Sequence, residues 1–163
     1  HSDRPVLRSR AEPGMVVCVT GALGGSILGK HLSFRPKVEE GVELSRLGVA
    51  AMIDISDGLL LDAWRICRAS GVGMVFKGRS IPVSAAARQL SNRSGKPPLQ
   101  HALSDGEDFE LLFCCRRGVF EKARNIIVPL FLIGEVVKEP GLWIEDENGK
   151  HKVEPEGYVY GGC

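Results

Sequence analysis

Apolar residues fall into two kinds of run along this chain, short continuous ones and longer ones with helical spacing. Met15-Val16-Val17-Cys18-Val19-Thr20 is apolar and β-branched between Pro13-Gly14 and Gly21, a pattern that predicts a buried strand. Val49 to Ile53 is almost wholly apolar, which predicts a strand covered on both faces, and Phe109 to Cys115 reads as another buried strand. Gly73 to Phe76, Phe131 to Val137 and Leu142 to Glu145 predict further strands, with Glu147-Asn148-Gly149-Lys150 as a turn before Lys152-Val153. Between them lie amphipathic segments. Val38, Val42, Leu44 and Leu47 stand among charges and predict a helix that Gly48 stops. Leu59, Leu60, Ala63, Ile66 and Cys67 share one helical face while Asp62, Arg65 and Arg68 share the other, and Ser70-Gly71 supplies the stop. Ser84 to Ser91 and Val119 to Ile127 predict two more helices, and Ile27 to Leu32 has helical spacing too. Strands alternating with helices imply a single α/β domain.

Composition narrows the function. The 163 residues are 44% apolar and 25% charged, as expected of one globular domain. Lys plus Arg number 21 against 20 Asp plus Glu, so the net charge of +1 leaves no surplus for gripping a polyanion, and nucleic acid is not an expected partner. Cys18, Cys67, Cys114, Cys115 and Cys163 are odd in number, include an adjacent pair and form no C-x-x-C, which suits neither a disulfide framework nor a zinc site and points to a reducing cytoplasm. The four histidines, His1, His31, His101 and His151, are scattered away from the cysteines. No run approaches the ~18 apolar residues of a membrane span, and the first residues lack the apolar core of a signal peptide, so neither membrane nor export is expected. His1-Ser2 reads as the scar of a cleaved tag, or as a cut inside a longer gene.

Chemistry concentrates in three loops. Gly21-Ala22-Leu23-Gly24-Gly25-Ser26 joins the first strand to a helical segment, a place that can bind an anion or can simply permit a tight turn. Asp54-Ile55-Ser56-Asp57-Gly58 lies between a buried strand and a helix, where ligands commonly bind in open α/β sheets. Two carboxylates three residues apart suit Mg²⁺ and phosphate oxygens, with the Ser56 hydroxyl available to a phosphate; the alternative is that Asp57 or Ser56 only caps the following helix. The third loop, Ser104-Asp105-Gly106-Glu107-Asp108-Phe109-Glu110, sets four carboxylates around one glycine before an apolar strand, and an ordinary polar turn is the competing reading.

Taken together with Arg8-Ser9-Arg10-Ala11-Glu12-Pro13-Gly14, these segments resemble thiamine-monophosphate kinase in its C-terminal half. The closest correspondences are Met52-Ile53-Asp54-Ile55-Ser56-Asp57-Gly58-Leu59, Arg65 to Gly73, Ile81-Pro82-Val83-Ser84 and Ser104 to Leu111. The resemblance implies a mixed sheet with helices mainly on one face, like the C-terminal domain of aminoimidazole ribonucleotide synthetase. It implies an ATP-dependent kinase that transfers the γ-phosphoryl group directly to thiamine monophosphate. On matching positions, Asp54 and Asp57 would bind Mg²⁺, Ser56 and Arg8 would contact ATP, and Glu107 and Tyr158 would contact the substrate; no residue stands out as a general base. The chain departs from the family at Gly25, where an Asp is usual, at Asp105, where a Gly is usual, at Phe109 and at Tyr160-Gly161. The family's N-terminal domain is missing from these residues, so the 1–163 segment is expected to be one domain of a two-domain enzyme, inactive alone and a homodimer when intact. The rival expectations are a catalytically silent binding domain of the same fold and a related enzyme acting on another small phosphate.

Overall fold

A computed structural model describes residues 5–157. Seven strands form one sheet in the order β2-β4-β1-β5-β3-β6-β7. They are β1 (Val16–Val19), β2 (Ala51–Asp54), β3 (Gly73–Lys77), β4 (Leu111–Cys115), β5 (Phe131–Val137), β6 (Gly141–Asp146) and β7 (Gly149–Val153). Only β3 and β6 run parallel; the other neighbours are antiparallel, so the sheet is mixed.

The strand pattern follows from two-sided burial. Along β1 and β4, Val17, Val19, Leu112 and Cys114 face one core while Val16, Cys18, Phe113 and Cys115 face a second, which is why both runs are continuously apolar. The larger core lies under α3 (Leu59–Ser70) and α5 (Pro98–Ser104), with α4 (Ala85–Ser94) packed outside against α5. The second core is smaller and is closed by α2 (Val38–Leu47) and α6 (Arg117–Ala123). Helices therefore cover the sheet mainly on one face. Gly48 and Gly71 end α2 and α3 in the left-handed conformation, as the sequence predicts.

Three elements differ from expectation. The helical segment at Ile27 to Leu32 is a single 3-10 turn over Ser26–Leu28 followed by the four-residue α1 (Lys30–Ser33), broken at Gly29 with φ +132°. α5 carries no amphipathic stripe long enough to announce it, and Pro97-Pro98 supplies only its start. α6 stops at Ala123, short of the expected Ile127. The four described cysteines are free and buried, and burial pushes the Cys67 thiol up to about 12, so that thiol stays protonated. Among the described residues no helix is long and apolar enough to cross a membrane.

Candidate functional site

Antiparallel pairing places the C-terminal ends of β1 and β2 and the start of β4 on one edge of the sheet, with Asp54 opposite Leu111 and Val19 opposite Leu112. The three chemistry-bearing loops leave from these ends, so they must meet.

They meet through backbone as much as side chain. Glu107 N–H donates to the Ser56 carbonyl at 2.7 Å and Phe109 N–H donates to the Ile55 carbonyl at 2.8 Å, so the acidic loop runs along the Asp54–Gly58 loop. Following it bends Gly106, Glu107 and Phe109 to φ +74°, +54° and +52°, and a Cβ on Gly106 would come within 2.7 Å of the Ser56 oxygen. Phe109 is held in this conformation under Phe34, the rings stacked at 3.9 Å.

The four acids of that loop divide by direction. Asp108 points inward and is 1% exposed; it accepts the Gly24 N–H at 2.9 Å and the Ser26 hydroxyl at 3.1 Å. Burial pushes its carboxyl up to about 6, against the pull of the Gly24 N–H, Lys30 and Ser26. Glu110 is also buried, and it accepts the Thr20 hydroxyl and Lys30 Nζ, each at 2.8 Å, with Lys37 Nζ at 3.6 Å. Asp105 is half-buried and takes the Gly25 N–H at 3.0 Å and His101 Nδ1 at 2.9 Å. Glu107 alone stands exposed. The glycine-rich turn is thus fastened by carboxylates from the opposite loop.

Asp54 and Asp57 occupy different situations. Asp54 ends β2 exposed, and its carboxylate has no hydrogen-bond or ion-pair partner among the described residues. Asp57 is paired with Arg65, whose guanidinium also meets Asp62 at 2.5 Å. Gly58, with φ +116°, occupies the cap of α3, so the capping alternative for Asp57 does not describe this turn. Instead Asp62, fully buried, turns back to accept the Ser56 and Asp57 N–H groups at 3.0 Å each. Helical periodicity sets Asp62 on the solvent face beside Arg65 and Arg68, and it hides this role; an acid in the first turn after a Gly-capped loop was the available signal.

Arg8 stands apart from the three loops. Its carbonyl accepts the Ser70 hydroxyl at 2.9 Å, at the far end of the twelve-residue α3, about 18 Å along the axis from Asp57. Tyr158, like His1-Ser2 and Tyr160-Gly161, lies outside the described residues. Gly157, just before Tyr158, packs so closely on the Asp57 carbonyl and Leu61 that a Cβ would collide with both. Among the described residues no three His, Cys, Asp or Glu side chains converge as a ready metal cage. Asp54 with Asp57 offers two hard oxygen ligands, enough for Mg²⁺ only when phosphate and water oxygens complete the shell.

No family profile matches the chain. By fold it is a mixed α/β domain of the kind seen in the hydrogenase maturation protein HypE of E. coli, with TM-score 0.76 at 20% identity over 96% of this chain and 54% of that one, a likeness of fold alone. Thiamine monophosphate kinase from Aquifex aeolicus superposes with TM-score 0.81 at 27% identity, covering 95% of this chain and 56% of that one. AaThiL complexed with AMPPCP and TMP gives the same TM-score, with 95% and 54% covered. In sequence the chain is 43% identical over 164 residues to the thiamine-monophosphate kinase of Rhodopirellula baltica, covering 98% of this chain and 52% of the relative. That of Pyrococcus horikoshii is 35% identical over 176 residues, covering 98% and 54%. The chain is homologous to the thiamine-monophosphate kinases and spans about half the length of the curated relatives it matches, as their C-terminal domain would.

Proposed function

We propose that this chain is the C-terminal part of an ATP-dependent kinase that converts thiamine monophosphate to thiamine diphosphate. The observation that carries the reading is the convergence of three loops, Gly21–Ser26, Asp54–Gly58 and Asp105–Glu110, at one sheet edge in a chain 43% identical to such a kinase. A structural neighbour holding AMPPCP and TMP supports both ligands.

The acceptor is itself a phosphate with a second pKa near ~6, so at neutral pH it is already an anionic nucleophile and asks for no general base. Bringing two polyanions together in line asks for neutralisation and positioning. Asp54 and Asp57 would hold Mg²⁺, which when bound offsets the phosphate charge. In this reading Ser56 offers a hydroxyl to ATP, and Arg8 contacts ATP from a segment outside the three loops. Glu107, exposed at the loop tip, accepts an N–H from the substrate, and Tyr158 follows a residue that lies against Asp57. The remaining metal ligands come from the half of the kinase that these residues do not include, and the intact enzyme is a cytoplasmic homodimer.

The test joins this chain to the other half of the Rhodopirellula baltica relative and measures thiamine diphosphate formed from ATP and thiamine monophosphate. Turnover that Asp54→Asn and Asp57→Asn each reduce at least tenfold is expected. A folded joined protein without turnover would leave the silent-domain reading in its place.

A further inference from the structure

We propose that the organic part of the acceptor is seated in the cavity between the end of α4, α5 and the Gly106-Glu107 turn, with Ile27 and Leu90 setting its specificity; this rests on the kinase reading above. The cavity measures about 460 Å³, within the usual range for small-molecule sites. Ile27, from the 3-10 turn after the glycine-rich loop, and Leu90, from α4, give it apolar walls. Ile27 is 69% exposed, a large aliphatic side chain left in water at the mouth of a cavity, so an arriving apolar surface gains by covering it.

The polar side of the cavity is acidic and already braced. His101 lines it but is satisfied on both ring nitrogens, by Ser94 Oγ at 2.8 Å and by Asp105 at 2.9 Å, so it serves the wall rather than a ligand. Asp105 passes the connection on to the Gly25 N–H. Glu107 is different: it is exposed, fixed by its backbone bond to Ser56, and its carboxylate has no partner among the described residues. A free acceptor between apolar walls suits a flat heterocycle that carries an amino group, such as an aminopyrimidine. It does not suit a sugar phosphate, whose hydroxyls would face Ile27 and Leu90 unpaired. The same hydrogen-bonded chain from Ser94 to Gly25 ties this seat to the turn beside the phosphate-handling loops.

Calorimetry on the full chain tests the seat with thiamine, thiamine monophosphate and ribose 5-phosphate as probes. Thiamine and its monophosphate should bind and ribose 5-phosphate should not, while Ile27→Asp and Leu90→Trp should each weaken binding by about tenfold or more. Ile27 is exposed, so the melting temperature of Ile27→Asp should match the parent and separate lost binding from lost folding. Equal affinity for thiamine monophosphate in the parent and both variants overturns the proposal, as does a parent chain that binds neither thiamine compound. The two readings fail differently in the joined protein: turnover with an unchanged KM for thiamine monophosphate in Ile27→Asp removes the seat alone, whereas no turnover in the parent removes the kinase.

Discussion

Asp54, Asp57 and Asp62 are three acids within nine residues, and the structure gives each a separate task. Asp54 is open to solvent, Asp57 is shared with Arg65, and Asp62 is buried beneath both as the acceptor for two loop N–H groups. Substitution should therefore separate stability from chemistry. Asp62→Ala strands two N–H donors and the inner face of Arg65, and is expected to lower unfolding free energy by about 3 kcal/mol in urea titrations. Asp57→Asn disturbs a pair whose arginine is 37% exposed, where solvent screening keeps the cost below about 1 kcal/mol, yet it should reduce kcat in the joined enzyme. If Asp57→Asn instead destabilises as strongly as Asp62→Ala while kcat of the folded fraction is kept, Asp57 is a structural acid.

The glycine-rich turn shows how an element can depend on residues far away in sequence. Asp108 clamps Gly24 and Ser26, and Asp105 clamps Gly25, from about 80 positions downstream. Because Asp108 in the native state holds its proton up to about 6, while an unfolded carboxyl releases it near 3.8, the folded form binds the proton that the unfolded form has lost between those values. Stability from this group is complete below about pH 4 and falls as pH rises to about 6, by about 3 kcal/mol. Comparing urea midpoints of the parent and Asp108→Asn across pH 4 to 7 should show this descending component in the parent only. The turn itself should resist any side chain: at Gly24, φ is +86° and a Cβ would come within 2.6 Å of Ala102 N, so Gly24→Ala should cost several kcal/mol and lower the melting temperature. Local pattern predicts what local forces decide. The bounds of α2 and of β5 follow from apolar spacing and glycine stops, and so does the position of each acidic loop. The division of Asp105, Glu107, Asp108 and Glu110 into clamps and a free acceptor does not, since it depends on which N–H groups another loop presents. The departures at positions 25 and 105 illustrate the same limit: in sequence they are two unrelated changes, and in the fold the Asp105 carboxylate lies 3.0 Å from the Gly25 nitrogen.

Across the whole molecule, one end of the sheet gathers the loops that suit phosphate chemistry, while Arg8 is held at the other end of α3 and Tyr158 adjoins Asp57 only through Gly157. These placements argue for a site completed from outside the described residues. The two aspartates bring at most two negative charges to a metal that takes about six oxygen ligands, and Arg65 already offsets one of them. ATP and thiamine monophosphate together carry more negative charge than Asp54, Asp57 and one Mg²⁺ can manage, and the nearest cations, Lys30 and Lys37, are committed to Glu110. The chain alone is therefore expected to form thiamine diphosphate at under about 1% of the rate of the joined protein, since losing part of a phosphate clamp typically costs a hundredfold or more. Measuring both under saturating ATP, Mg²⁺ and thiamine monophosphate decides the matter, with circular dichroism confirming that the chain is folded in the assay. A rate for the chain alone comparable with the joined protein would mean that the loops at this sheet edge, with Asp54 and Asp57, suffice for phosphoryl transfer, and that the other half of the relatives serves something else.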